Sequence, residues 1–221
     1  RRCWALPDAD EEARAVLLDR QLRHLFRMVP WHVASTLLTG AGVAYVMAPF
    51  LAGHAWQAWA LCLLATHLGW VAQATRRLRQ MERGDKGAFT ISDLRQSAFW
   101  CVLCACTGGV GLYLAAPLAA SDGSRLLLAA YTPALIATGV LVGVTAPLVA
   151  FLWLVILTVA ACLVVGRLDF MAQGMTIAQL CCYATMLTIT LLFVSRTLVR
   201  RIEAEMAAER QTRPPILRIG R

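Results

Sequence analysis

The chain has 221 residues, of which 59% are hydrophobic and 15% are charged, and its formal net charge is +8. A soluble domain is about 45–50% apolar and about 25% charged. The composition, with a mean hydropathy of +0.61, therefore excludes a soluble enzyme, a secreted disulfide scaffold and a disordered chain, and it predicts an all-α, polytopic membrane protein.

Residues 1–30 carry both acidic and basic side chains before the first apolar block. Acidic residues near the start are untypical of a signal peptide, so we interpret this segment as a cytoplasmic amphipathic helix. Such a helix lies on the inner membrane surface with its apolar face in the lipid; a plain cytoplasmic extension is the alternative. The apolar positions that share one helical face are Leu18, Leu22, Leu25, Phe26 and Val29.

Six blocks free of Asp, Glu, Lys and Arg follow, each long enough to cross a bilayer, which takes about 20 residues. The alternation expected for β-barrel strands does not occur in them. The sequence thus predicts six transmembrane helices in one module, residues 31–195. Their approximate ranges are 31–51, 56–75, 98–118, 126–144, 147–166 and 176–195.

The basic residues predict the orientation. Six precede the first block, six lie between the second and third, and seven follow the sixth, which leaves only Arg125 and Arg167 on the other side. Because cytoplasmic loops are rich in Lys and Arg, we expect both termini in the cytoplasm and a bacterial inner-membrane, multi-pass location. The net charge is then topological, so no nucleic-acid partner is expected.

Residues 196–221 predict a cytoplasmic signalling helix and linker. Val199, Ile202 and Met206 follow a spacing of three to four residues, which is the start of a parallel coiled-coil seam. This seam is the candidate for signal transmission in a homodimer. A single solvated helix is equally compatible with the short repeat.

Ionisable and aromatic residues within or beside the spans are the candidate sites for a signal. An intramembrane ionisable group is a functional candidate by default, and His67 is the deepest histidine. A neutral histidine bonded between helices is the common structural alternative. The candidate signal-sensing residues are His54, His67, Trp70, Trp100 and Tyr131.

No catalytic residue and no metal site is predicted. The cysteines do not form paired C-x-x-C motifs, and most of them lie in the spans, where thiols act as small packing residues. We predict no cofactor, with haem or copper as the open alternative; the weak candidate ligands are His32, His67 and Cys62.

Two further features concern helix packing and anchoring at the membrane interface. Gly139 and Gly143 form a small-x-x-x-small pair that allows close approach of helices. Trp31, Trp56, Trp100 and Trp153 lie near span ends, where indoles are typical anchors at the membrane interface.

Five segments together carry a resemblance to a known class of module. They are LRHLFRMVP (22–30), TRRLR (75–79), GLYLAAP (111–117), ATGVLVGVTAP (137–147) and VSRTLV (194–199). In this order they resemble the six-helix N-terminal membrane module of proteobacterial diguanylate cyclases and hybrid histidine kinases.

The resemblance implies a sensory module that responds to a small apolar or periplasmic signal. Its last helix would act on a cytoplasmic output domain of the same chain, a diguanylate cyclase or a histidine kinase, in a homodimer. Residues 1–221 contain no signature of such a domain, so we expect no enzymatic activity from this part and an output domain beyond it. A small transporter or channel-like protein, or a haem- or copper-binding membrane protein, is the alternative.

Overall fold

The computed structural model describes residues 11–47, 54–84, 88–116, 122–167 and 173–212, and within these ranges it contains helices and no strands. The six α-helices are α1 (Glu11–Met47), α2 (His54–Glu82), α3 (Ile91–Ala115), α4 (Asp122–Val142), α5 (Pro147–Val165) and α6 (Gln173–Thr212). A 3₁₀ turn, Gly143–Thr145, joins α4 to α5. The expected all-α class is confirmed.

Four stretches within the described residues are long and apolar enough to cross a membrane: Ile91–Ala115, Leu128–Thr145, Pro147–Val165 and Gln173–Ile202. They correspond to the third to sixth predicted spans. Helices α1 and α2 are not among them, because polar side chains such as His32 and His67 interrupt their apolar segments. The described part of the chain is therefore helical, with four helices long and apolar enough to cross a membrane.

Pro30 is the predicted boundary between the amphipathic surface helix and the first span, but α1 does not end there. It continues through Pro30 as one helix of 37 residues, a length of about 55 Å at 1.5 Å per residue. The face that we expected to lie in the lipid is instead buried in the bundle, because α2 and the turn before α3 cover it. Its fully buried side chains are Leu22, Leu25, Phe26 and Val29.

Helix α5 lies at the centre and packs against α3, α4 and α6. Its close approach to α4 depends on the two predicted packing glycines. A Cβ atom at Gly139 would overlap the indole of Trp153, and one at Gly143 would lie 2.8 Å from the Ala150 Cβ. Small residues at both positions therefore let the α4–α5 hairpin close without a gap.

Candidate functional site

The buried face of α2 carries polar and aromatic groups at helical spacing. Leu63, His67, Trp70, Ala74 and Arg77 recur every three to four residues and are all buried. This face meets the buried face of α1, which carries His32 and Thr36. The α1–α2 pair thus places imidazole, indole and hydroxyl groups inside the bundle.

His67 is completely buried and held in one tautomer. Its Nδ1 lies 2.8 Å from the carbonyl oxygen of Leu63, and since a carbonyl can only accept, Nδ1 carries the proton and donates. Nε2 then has a free lone pair, and it has no hydrogen-bond partner among the described residues. An unpaired buried acceptor is costly in a folded protein, so this nitrogen marks a place where a donor or an electrophile would be stabilised.

His32 lies between two indoles. Its ring centroid is 4.8 Å from that of Trp153 and 5.8 Å from that of Trp70, both in edge-to-face geometry. Only 2% of His32 is exposed, and neither of its ring nitrogens has a hydrogen-bond partner among the described residues. Three buried imidazole nitrogens from α1 and α2 therefore have no hydrogen-bond partner in the part of the chain that the structure describes.

Two adjacent cavities surround these groups. The larger, which we call the His67 cavity, gives the centre of a water molecule about 30 Å³ of free space. The smaller, the His32 cavity, gives about 10 Å³. Trp153 forms part of the wall of both. The His67 cavity is also lined by Thr36, Cys104 and Tyr131, and the His32 cavity by Trp70 and Cys101.

The space determines what can enter without movement. A buried water needs roughly 10–15 Å³ of such volume and two to four polar partners, and the His67 cavity offers this next to His67 and Thr36. A ligand of more than a few atoms must displace a wall. Because Trp153 belongs to α5, such a displacement acts on the helix that supports α6.

The five candidate signal-sensing residues do not form one site. His67 and Tyr131 line the His67 cavity, and Trp70 lines the His32 cavity. Trp100 is half-buried and packs over Gly69, where a Cβ would lie 2.5 Å from its indole ring. His54 is exposed at the start of α2, with Nδ1 3.4 Å from Oε1 of Gln57.

The three weak metal candidates do not all lie together. His32 and His67 are buried neighbours on α1 and α2, whereas Cys62 is exposed on α2. Within the described ranges, no three His, Cys, Asp or Glu side chains group in a way that could hold a metal ion. The coordinating groups nearest to each cavity are one imidazole and one buried thiol.

The role of Trp153 differs from the expected interface anchor. It is 1% exposed, and its Nε1 donates to the Leu135 carbonyl at 3.0 Å. A signal for this position exists in the sequence: Gly139 and Trp153 lie at equal distances before and after Ala146, at the hairpin turn. In an antiparallel hairpin this symmetry places the indole opposite the glycine.

An ion pair joins α2 to α3 near the other end of the α1–α2 interface. Arg77 donates from Nε and Nη2 to the two carboxylate oxygens of Asp93, at 2.9 and 3.2 Å, and its guanidinium lies 5.1 Å from the Phe89 ring centroid. The Phe89 N–H donates to Asp19 of α1 at 2.8 Å. These contacts fix α1, α2 and α3 to one another below the cavities.

The predicted seam on α6 packs within its own chain. Ile202 is buried and contacts a cluster with Leu17 of α1, and Leu198 and Val199 are half-buried against them. The side chain of Met206 lies outside the described part of the structure. No local pattern in the sequence pairs two faces so far apart along the chain.

No protein-family model, curated protein or solved structure matches this chain.

Proposed function

We propose that the chain is the sensory input module of a bacterial inner-membrane signalling protein, with six spans and both termini in the cytoplasm. The observation that carries this proposal is α6, a single helix of 40 residues. It is about 60 Å long at 1.5 Å per residue, roughly twice the hydrocarbon thickness. A shift of its apolar part is therefore delivered to its charged part without a joint.

The burial of α1 and α2 supports counting them as spans. Within the predicted spans 31–51 and 56–75, the histidines His32 and His67 are buried in the bundle. The exposed positions of the two helices include large apolar side chains, which suit contact with lipid. Examples with exposed fractions above 50% are Leu38 on α1 and Leu61 and Leu68 on α2.

The signal in this proposal is a small apolar or periplasmic molecule that enters the His67 cavity. Its polar group would bond to Nε2 of His67, and its bulk would press on Trp153 and hence on α5. Helix α6 packs against α5 but is little buried. In its most apolar 18-residue stretch 6% is buried, against 39–44% in the corresponding stretches of the other three candidate spans. A helix held so lightly needs only a small bias to move between two positions.

The output partner would be a diguanylate cyclase or histidine kinase domain in the same chain, working as a homodimer. To test transmission, a dimerisation-dependent diguanylate cyclase domain is joined after Thr212 through inserts of zero to seven helix-forming residues. Each inserted residue turns the reporter by about 100°, so output should rise and fall with helical period. Equal-length Gly-Ser inserts are the control and should remove the periodicity; output independent of helical phase would contradict the proposal.

A haem- or copper-binding function is the second candidate, favoured by one observation. Histidines that ligate metals usually donate their other ring N–H to a carbonyl, as His67 does to Leu63. Absorbance spectra and metal analysis of purified protein test it. Bound haem or stoichiometric copper that is lost in His67→Gln and kept in Cys62→Ser would support this function. A colourless, metal-free sample purified from cells supplied with both haem and copper would contradict it.

A further inference from the structure

A small apolar contact joins the two ends of the described chain. Leu17 of α1 is 4% exposed and Ile202 of α6 is 7% exposed, and Leu198 and Val199 complete the cluster. We call these four residues the α1–α6 clasp. Since α6 is little buried along its apolar part, the clasp fixes the charged half of the helix at a point far from its main support.

An ion pair gives the clasp its register. Arg20 Nη1 donates to Glu205 Oε2 at 3.2 Å, with side-chain exposures of 34% and 47%. Glu205 also accepts from Arg201 at 3.0 Å. Because exposed ion pairs contribute little to stability, the apolar contact supplies most of the attraction, and the clasp as a whole is weak enough to open.

The clasp occupies the surface that a coiled coil would need. Val199 and Ile202 are the first two positions of the predicted parallel seam, and in a coiled coil each would insert between side chains of a second copy. In this structure Ile202 lies in one apolar cluster with Leu17, and Val199 packs against that cluster. One apolar face cannot pack on both partners at once.

We propose that α1 is an autoinhibitory element that holds the seam of α6 within its own chain, and that opening the clasp releases the seam to pair with a second copy. The consequence for output rests on the proposed function. The competition between the two contacts does not, and it is open to a separate test.

Helix α1 also links the clasp to the cavities. Leu17 and Arg20 lie on the same unbroken helix as His32 and Thr36, which line the His32 and His67 cavities. Asp19, next to the clasp, bonds to the Phe89 N–H at 2.8 Å. Because α1 is unbroken between the cavities and the clasp, a displacement of α1 when the cavity walls part would reach Leu17 and its contact with Ile202.

The test compares Leu17→Asp with Val16→Asp in the full chain in lipid nanodiscs. Val16 is the adjacent residue and is 37% exposed, so its substitution adds the same charge outside the clasp. Hydrogen exchange of amides 198–212 should be about tenfold faster or more in Leu17→Asp, the factor expected for loss of a buried leucine contact. In Val16→Asp it should match the parent chain.

The second measurement is cross-linking between copies in membranes, through Arg196→Cys and a bis-maleimide, with the chain lacking Arg196→Cys as background. Leu17→Asp should raise the cross-linked fraction at least twofold, and Val16→Asp should not. Unchanged exchange in a folded Leu17→Asp chain would overturn the clasp. Faster exchange without more cross-linking would overturn the autoinhibition.

If Leu17→Asp does not fold, Leu17→Ala decides, because it removes the apolar contact without adding a charge. It should speed exchange of amides 198–212 relative to the control Val16→Ala, and equal exchange in the two folded chains would overturn the clasp. The phase dependence of the reporter is measured on the parent chain. If the clasp tests fail but reporter output still varies with helical phase, the proposed function stands without the clasp. If the clasp tests succeed but reporter output does not vary with helical phase, the proposed function is contradicted.

Discussion

The α1–α2 pair and the α4–α5 hairpin are both packed helix pairs, but different kinds of side chain meet at their interfaces. The hairpin closes with glycine against indole, and Gly139, Gly143 and Trp153 also form part of the wall of the His32 cavity. The α1–α2 interface contains two histidines with ring nitrogens that have no hydrogen-bond partner among the described residues, and a cavity lies beside each histidine. The Arg77–Asp93 ion pair joins α2 to α3 near one end of this interface. Buried polar groups of this kind are candidate functional sites in membrane-spanning helices, so the proposed function assigns the ligand to the α1–α2 interface.

The largest effect is expected at the Arg77–Asp93 ion pair, which joins α2 to α3. Arg77→Met leaves the Asp93 carboxylate without its main partner, and breaking a buried pair costs about 3–5 kcal/mol. The free energy of unfolding, measured by denaturant titration in mixed micelles, should fall by that amount. Arg23→Ala breaks the more exposed Asp19–Arg23 pair and should cost about 1 kcal/mol or less. Equal losses of unfolding free energy in the two variants would contradict the prediction that the buried pair stabilises the fold more than the exposed pair.

A smaller effect is expected in the hairpin. Gly139→Ala forces a methyl group into the Trp153 indole, and overpacking of this kind costs about 1–3 kcal/mol. Thermal unfolding in detergent should show the loss. Gly174→Ala, where a Cβ would meet nothing within 4 Å, is the control. An unaffected Gly139→Ala chain would mean that the hairpin is looser than described.

The smallest effect on stability is expected at His67. His67→Leu removes a buried nitrogen that has no described partner, together with its bond to Leu63, so the two changes nearly cancel and the free energy of unfolding should change by about 1 kcal/mol or less. In the reporter fusion the same variant should lose its response to the signal. The exposed His54→Leu is the control and should keep it. A large loss of stability in His67→Leu would make this histidine a structural residue.

Much of the helical layout was predictable, because blocks without charge have the length that a crossing requires. The four most apolar blocks correspond to helices long and apolar enough to span a membrane. Two features were not predictable from local pattern. The apolar face of α1 looked like a lipid-binding face, and nothing nearby in the sequence says that Phe89 and Ala74 cover it. The seam at Val199 and Ile202 looked free, since its partner Leu17 is distant along the chain.

The candidate site was predictable only in part. His67 was found because an ionisable residue in an apolar block is conspicuous, whereas Trp153 was assigned to the interface from its position near a span end. Its central place follows from hairpin symmetry about Ala146, a tertiary relation that single-span reading omits. His32 was considered only as a weak ligand, although it proves to lie between Trp70 and Trp153.

The central claim is that the α1–α2 interior controls the charged half of α6. Its most direct test is hydrogen exchange of amides 198–212 in Gly40→Leu, since Gly40 lines the His67 cavity next to Tyr131 and a leucine there takes the place of a ligand. Gly174→Leu, at an exposed position, is the control. We expect several-fold faster exchange in a folded Gly40→Leu chain than in the parent chain, and no change in Gly174→Leu. Equal exchange in the two variants would contradict control of α6 by the α1–α2 interior.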